Sequence, residues 1–187
     1  MSFSLIFLRY NKVEGLFMKK ILTMLLLTTL STFAITVGEV PKEVTIENEQ
    51  GGLLNGTAWN STTVKEKIHV MFYVDPDEKD TNNEFSEALK AKGYDRSKFA
   101  SIAIVNLEAT WLPNFAIESS LEEKQKAYPE TIYVKDKEKV LVKEWSLADD
   151  SSDILIFDTT GKVIYSYAGK LDSSEIEKAL KLIDSLL

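Results

Sequence analysis

Residues 153–167, DILIFDTTGKVIYSY, decide the fold of this chain. Two β-rich runs, Asp153–Asp158 and Lys162–Tyr167, flank the turn sequence Asp158-Thr-Thr-Gly161, which predicts a β-hairpin. A helix from about Ser173 to Leu186 follows, because apolar residues recur there at helical spacing. The chain therefore closes with a β-hairpin and an amphipathic helix.

The start of the last helix carries a capping signal. Asp172 precedes the first helical residue and is expected to accept hydrogen bonds from its free backbone N–H groups. Glu175 lies three residues later and completes a capping-box-like pair.

Upstream of the hairpin, β-rich runs alternate with helical patterns. The nearly continuous apolar run Lys67–Val74 predicts a strand buried on both faces of a sheet. Further strands are predicted over Glu43–Glu47, Phe99–Leu107, Thr131–Val134 and Val140–Val142, and helices from Asp80 or Thr81 to Gly93 and from Pro113 to Tyr128, the latter with Phe115, Ile117 and Leu121 facing inward. This order predicts an α/β sandwich, a central mixed β-sheet flanked by helices.

Several motifs lie along this element order: Val105-Asn106-Leu107, Ala109-Thr110-Trp111, Lys143-Glu144-Trp145, Asp150–Asp158 and Gly161-Lys162-Val163. The element order resembles the thioredoxin fold, and these motifs resemble the YtfJ family of exported bacterial proteins. The resemblance implies one thioredoxin-like domain over residues 35–187. It transfers no catalytic residue, because the family has none assigned.

The N-terminal region predicts export. Residues 18–34, MKKILTMLLLTTLSTFA, have two lysines, a short apolar run and small residues before a cleavage site after Ala34, as a signal peptide has. The apolar run is shorter than the ~20 residues of a membrane-spanning helix. Met18 is then the expected start, and residues 1–17 are a mis-assigned upstream extension. We expect a periplasmic protein with no stable membrane anchor after cleavage.

Composition excludes several function classes. The chain has no cysteine among its 187 residues, which excludes thiol–disulfide exchange and thiol peroxidase chemistry. Its 29 acidic and 22 basic residues give a net charge of −7, which disfavours nucleic-acid binding. The single histidine, His69, lies within a predicted strand with no evident acid or nucleophile beside it, so we interpret it as structural.

Other residues occupy the positions where thioredoxin-like proteins carry their chemistry. The place of the CxxC motif falls on residues 75–80, DPDEKD, and the place of the cis-proline falls on Asp153. The two loops should meet at one end of the sheet. Their carboxylates are weak candidates for a Ca²⁺ site: Asp75, Asp77, Glu78, Asp150 and Asp153. Because the spacing matches no known ligand loop, a solvated acidic surface is favoured, and no metal or cofactor is assigned.

The same end of the sheet is a candidate surface for a partner or ligand. Its candidate residues are Trp111, Asp75, Pro76, Asp77, Ser151, Ser152 and Asp153. Trp111 follows a predicted strand at the end where α/β sheets often bind ligands. The alternative is that Trp59, Trp111 and Trp145 each fill an edge of the core, which is favoured because tryptophan is highly buried on average.

Three functions remain open from the sequence. The favoured one is a periplasmic, non-redox accessory protein that binds an unidentified periplasmic protein or peptide. The second is a divalent-cation or small-ligand binding protein that uses the acidic loops. The third, an enzyme with paired carboxylates, is the least favoured, because no histidine or nucleophile accompanies them.

Overall fold

The computed structural model describes residues 34–187. The predicted upstream extension and the signal peptide, apart from Ala34, lie outside the described residues. Within the described part, no helix is both long enough and apolar enough to cross a membrane.

Strands and helices alternate along residues 34–187. The strands are β1 (Thr45–Ile46), β2 (Gly51–Leu53), β3 (Trp59–Asn60), β4 (Ile68–Val74), β5 (Phe99–Asn106), β6 (Thr131–Asp136), β7 (Ser152–Phe157) and β8 (Val163–Tyr167). The helices are α1 (Asn83–Lys92), α2 (Asn114–Ala127), α3 (Val140–Trp145) and α4 (Ser173–Asp184).

The main sheet has the strand order β2-β6-β5-β4-β7-β8. Strands β4, β5 and β6 are parallel, as expected for strands joined by helical crossovers, while β2, β7 and β8 pair antiparallel with their neighbours. Strands β1 and β3 form a separate two-stranded sheet. The mixed sheet with flanking helices and a closing hairpin confirms the predicted α/β fold.

Period-two alternation sends the side chains of β4 into two cores. Met71 and Tyr73 face a core that includes Trp59 and Trp145, on the side of α3. Ile68 and its neighbours on the opposite face pack against α1 and α4. The long helix α2 contributes Ile117 and Leu121 to a third cluster, over β5 and β6.

The predicted strand at Val140–Val142 is wrong, because these residues begin helix α3. The Asp136 carboxylate accepts hydrogen bonds from Val140 N at 2.8 Å and from Leu141 N at 3.1 Å. These bonds satisfy free N–H groups of the first turn, as a helix cap does. A carboxylate at the end of the preceding strand, only four residues upstream, thus overrides the β propensity of the valines.

Other predicted elements differ in detail. Phe115 does not face inward; its side chain is 76% exposed. Helix α1 begins at Asn83, later than the predicted start at Asp80 or Thr81, and has no capping side chain. Strand β2 was not among the predicted strands. Its Gly51 has a φ of +121°, and a Cβ there would lie 2.1 Å from the Lys135 carbonyl oxygen, so only glycine fits against β6.

Half of the predicted capping box of α4 is present. Asp172 Oδ1 accepts hydrogen bonds from Ser174 N and Glu175 N, both at 2.9 Å. The Glu175 carboxylate instead accepts a bond from the Tyr165 hydroxyl at 2.9 Å. Glu175 therefore ties the helix to strand β8 rather than closing the cap.

Candidate functional site

Three loops meet at one edge of the sheet: the loop after β4, the loop after β5 and the loop before β7. Asp75 N donates a hydrogen bond to Ser151 O at 2.8 Å, which joins the first loop to the third. The Thr110 hydroxyl donates to Asp77 Oδ2 at 3.0 Å, which joins the second loop to the first. The structure thus brings together the two loops that the thioredoxin resemblance places at one edge.

Asp75 opens the loop after β4, residues 75–80, on which the thioredoxin resemblance places the CxxC motif. Its side chain is only 4% exposed, and its Oδ1 accepts a hydrogen bond from Asp77 N at 2.8 Å. The carboxylate therefore caps the short 3₁₀ turn Pro76–Glu78. Burial raises the pKa of Asp75, and repulsion from the carboxylates of Asp77 and Asp150 raises it further.

Asp153, the residue that the thioredoxin resemblance places at the cis-proline position, is also buried. It lies opposite Tyr73 in the β4–β7 ladder and is 3% exposed. Its Oδ2 accepts a hydrogen bond from Ala148 N at 2.7 Å and its Oδ1 accepts one from the Ser151 hydroxyl at 3.0 Å. Burial raises the pKa of Asp153. The carboxylate holds the loop before β7 in place, and residues 34–187 contain no cis peptide bond.

Asn82 is a central residue of the edge that the sequence analysis did not identify. Its amide nitrogen donates to Ser152 O at 3.1 Å, to Ser152 Oγ at 3.0 Å and to Gly169 O at 3.0 Å. Its Oδ1 accepts a bond from Leu171 N at 2.9 Å. Asn82 therefore connects the start of α1 to β7 and to the segment before α4. Nothing in the sequence indicated this role, because the predicted helix start at Asp80 or Thr81 placed Asn82 inside the first helical turn.

A second buried polar network lies on the α3 side of the sheet. The Tyr73 hydroxyl donates to Asp136 Oδ2 at 3.1 Å, and Asp136 is fully buried. Beside it, Asn106 Nδ2 donates to Asp149 Oδ1 at 2.9 Å, and Asp149 Oδ2 pairs with Lys139 Nζ at 2.7 Å. The hydrogen bond from Lys139 lowers the pKa of Asp149. This network is structural, because each carboxylate already has internal partners.

The acidic residues proposed as weak metal candidates do not form a cation cage. Oxygens of Asp75, Asp77 and Asp153 accept hydrogen bonds from the protein itself. In the part of the chain that the structure describes, no group of three or more histidine, aspartate or glutamate side chains is arranged to hold a metal ion.

The proposed partner surface is only partly accessible. Asp75, Ser152 and Asp153 are 4%, 2% and 3% exposed, so these three cannot contact a partner without rearrangement. Pro76 and Ser151 are partly exposed, and Asp77 is exposed.

The three tryptophans divide into two buried and one exposed. Trp59 and Trp145 are 2% and 0% exposed, and Trp145 Nε1 donates to Lys42 O at 2.8 Å. Trp111 is 87% exposed, so the prediction that it fills a core edge is wrong. Phe115, four residues later, is also exposed. We call Pro76, Asp77, Trp111, Phe115 and Ser151 the edge patch.

The surroundings of His69 indicate a structural role. It is 3% exposed, and its Nδ1 lies 3.0 Å from Lys67 O. Burial lowers the pKa of His69, which keeps the imidazole neutral. Within residues 34–187 the ring has no hydrogen bond to a side chain, so no acid or nucleophile of the described part is placed beside it for acid–base catalysis.

Comparison with known proteins identifies relatives of the chain. A family model described as a bacterial protein of unknown function, YtfJ_HI0045, matches residues 34–186. The uncharacterized protein YtfJ of Escherichia coli K12 is 27% identical over 133 residues, which cover 69% of this chain and 72% of that protein.

Two solved structures share the fold. The thiol peroxidase from Chromobacterium violaceum superimposes with a TM-score of 0.58 at 13% identity, covering 82% of this chain and 90% of its own. The exposed lipoprotein thioredoxin Etrx1 from Streptococcus pneumoniae has a TM-score of 0.50 at 13% identity, covering 75% and 99%. At this identity the likeness concerns the fold alone. The fold of the chain is therefore thioredoxin-like, and the chain belongs to the YtfJ family of bacterial proteins.

Proposed function

We propose that this protein is a periplasmic, non-redox thioredoxin-like binding protein that holds a partner protein at the edge patch. The observation that carries the proposal is Trp111, an 87% exposed tryptophan. It lies at the edge of the sheet where the thioredoxin resemblance places the CxxC motif. Exposed aromatic side chains of this size are typical anchors of protein interfaces. The signal-peptide pattern of residues 18–34 supports export.

The loops around the patch support a binding role over catalysis. The chain has no cysteine, and the carboxylates of Asp75 and Asp153 are buried and engaged in backbone hydrogen bonds. An acid–base pair needs two carboxylates that reach a substrate. The buried carboxylates instead fix the loops and so pre-organise the surface that carries Trp111, which reduces the entropy lost on binding.

The charge of the patch indicates the chemistry of its partner. Asp77 lies in the patch itself, and Glu108 and Asp150 are exposed on the two neighbouring loops. An acidic rim around an exposed indole favours a partner that presents lysine or arginine side chains, which would pair with the carboxylates and lie over the Trp111 ring. The rest of the chain carries a net charge of the same sign, −7 in total, which would speed association with a basic partner.

A divalent-cation site is the second hypothesis for this edge, but no arrangement of side chains among residues 34–187 favours it. A calcium-binding protein would gain melting temperature in millimolar calcium by mass action.

The test is crosslinking in cells, followed by capture of the tagged protein and mass spectrometry. The variant Trp111→Ala with Phe115→Ala removes the aromatic part of the patch without touching the core. Leu186→Ala is the matched control, because it also removes an exposed apolar side chain but lies at the C-terminus, away from the patch.

We expect the wild type and the Leu186→Ala control to capture a basic periplasmic protein. The double variant should not capture it. Capture that weakens as salt is raised would support the charged rim. If the same proteins are recovered with the double variant, the edge patch is not the binding surface and the proposal is rejected.

A further inference from the structure

A cleft of about 770 Å³ lies between α1 and α2, on the opposite side of α1 from the core shared with α4. Its floor is the central pair of strands, β4 and β5. Phe72, Val74, Ser101 and Ala103 all point into it and remain partly exposed, although both strands are paired on both sides within the sheet. The middle of a sheet is normally covered, so this apolar floor is an uncovered part of the core.

The cleft has the dimensions and lining of a small-molecule site. Its volume falls within the range of ligand pockets, about 300–1,000 Å³, and its walls are two helices that the sheet holds apart. Ile117 and Leu121 of α2, Leu89 of α1 and Tyr133 of β6 extend the apolar lining around the floor. Helix α1, with 10 residues, is about 15 Å long and forms one wall of the cleft.

Positive charge is concentrated at the end of the cleft near the C-termini of the two helices. Lys90, Arg96 and Lys124 line this part, against Glu87 and Glu130. Lys90 pairs with Glu87 at 3.8 Å. Within residues 34–187 Arg96 and Lys124 form no salt bridge; the Arg96 guanidinium lies 6.0 Å from the centre of the Phe99 ring. Two cations without acidic partners at one end of an apolar cleft suit an anionic head group.

The backbone of β4 and β5, which form the floor of the cleft, disfavours an extended peptide as its ligand. The N–H and C=O groups of β4 and β5 are used within the sheet, so they offer nothing to a peptide backbone in the cleft. A buried peptide group without hydrogen bonds is costly. An alkyl chain has no such requirement.

We propose that the cleft between α1 and α2 binds a free, single-chain, long-chain carboxylate, with its alkyl chain over Phe72, Val74 and Ala103 and its carboxylate at Arg96 and Lys124. The cleft reaches the edge patch at Pro76, which lines both, but the proposed positions of the alkyl chain and the carboxylate use no residue of the patch. The proposal therefore does not depend on partner binding there.

The experiment titrates cis-parinaric acid, a fluorescent long-chain carboxylate, into the protein purified from the full reading frame. Its methyl ester serves as the uncharged probe. Ser120→Trp places a large side chain into the cleft from an exposed position on α2, and Ser119→Trp is the matched control, since Ser119 is exposed but does not line the cleft. Arg96→Gln with Lys124→Gln removes the two cations.

Saturable binding of the acid is expected for the wild type, Ser119→Trp and Trp111→Ala. Ser120→Trp should abolish binding of both probes. The Arg96/Lys124 variant should weaken binding of the acid about tenfold and leave the ester unchanged, as expected for the loss of charged hydrogen bonds. Circular dichroism and melting curves confirm that each variant is folded.

No saturable binding by the wild type, or equal binding by Ser120→Trp, would overturn the proposal. Loss of binding in Trp111→Ala would also overturn it, because the ligand would then lie at the edge patch. The two proposals fail separately. If the wild type captures no partner but binds parinarate, the proposed function fails and the cleft proposal stands. If it captures a partner but does not bind parinarate, the cleft proposal fails alone.

Discussion

The hydroxyl of Thr110 donates a 3.0 Å hydrogen bond to the carboxylate of Asp77, and this contact joins the loop that carries Trp111 to the loop after β4. The same hydroxyl oxygen accepts a bond from Leu112 N at 3.3 Å. Thr110→Val keeps the size of the side chain and removes both bonds. We expect faster hydrogen exchange over residues 107–113, because the loop loses its tether. Thr110→Ser keeps the hydroxyl and should exchange like the wild type; equal exchange in all three proteins would contradict the role of this contact.

Tryptophan fluorescence should separate the exposed indole from the two buried ones. Trp111→Phe should remove most of the fluorescence that acrylamide quenches, because Trp59 and Trp145 are almost inaccessible. In chemical unfolding, Trp111→Ala should change the free energy of unfolding by about 0.5 kcal/mol or less. Trp145→Ala should cost about 3–5 kcal/mol, as large core truncations do. A large loss of stability in Trp111→Ala would mean that this side chain is packed.

Asp136 should be among the most sensitive polar positions. Its carboxylate accepts bonds from the Tyr73 hydroxyl and from Val140 N and Leu141 N, all in the core. Asp136→Ala leaves these donors without partners, and we expect a loss of at least about 3 kcal/mol in urea unfolding. Tyr73→Phe removes one donor and leaves the carboxylate bonded to α3, so it should cost about 1 kcal/mol. Similar losses of unfolding free energy in Asp136→Ala and Tyr73→Phe would contradict the role of Asp136 as an acceptor for both Tyr73 and helix α3.

The raised pKa of Asp153 gives a pH dependence of known sign. Because the pKa is higher in the folded state than in the unfolded state, the native protein binds this proton more tightly, and protonation favours folding. Relative to Asp153→Asn, the wild type should therefore gain stability as the pH falls from 7 through the folded pKa towards the unfolded value of about 3.9. The measurement is urea unfolding of both proteins at several pH values. A constant difference between them across this range would contradict the raised pKa.

His69 should show the opposite dependence. Burial lowers its pKa, so the unfolded state binds the proton more readily than the folded state. Its contribution to stability is full above the unfolded pKa of about 6.5 and is lost as the pH falls through that value towards the folded pKa. Since it is the only histidine in the chain, its NMR titration is unambiguous, and the midpoint should lie below 6.5. A His69→Gln variant lacks this dependence and is the reference for stability.

Long periodic segments were predictable from the sequence. The run Lys67–Val74, the hairpin around Asp158-Thr-Thr-Gly161 and the C-terminal helix each carry a strong local pattern, and all three are present in the structure. The helical form of Val140–Val142 was missed, because the valines favour a strand and the Asp136 carboxylate that caps the helix lies at the end of β6. Strand β2 was missed for a different reason: its glycines pair with β6 only because the fold brings a close-fitting partner alongside.

The site was predictable in location but not in accessibility. Asp75 and Asp153 mark the correct edge, yet both are buried, because their carboxylates satisfy backbone N–H groups of the loops. Phe115 was expected inside, but it lies two residues before Ile117, which at 3.6 residues per turn is the opposite side of the helix. Its side chain in the first turn of α2 is accordingly exposed. The burial of Asp75 and Asp153, by contrast, depends on neighbouring elements, which composition and spacing do not specify.

The strand order also determines when the sheet can be completed during synthesis. A chain made as far as Asp136 already holds β2, β6, β5 and β4, which are neighbours in the sheet. The open side of β4 must wait for β7, which begins at Ser152. Until then a central, apolar strand has unpaired N–H and C=O groups, which invite pairing with another chain. The closing hairpin is therefore the element that protects a newly made molecule from aggregation, and a chain truncated before it should be the form most prone to aggregate.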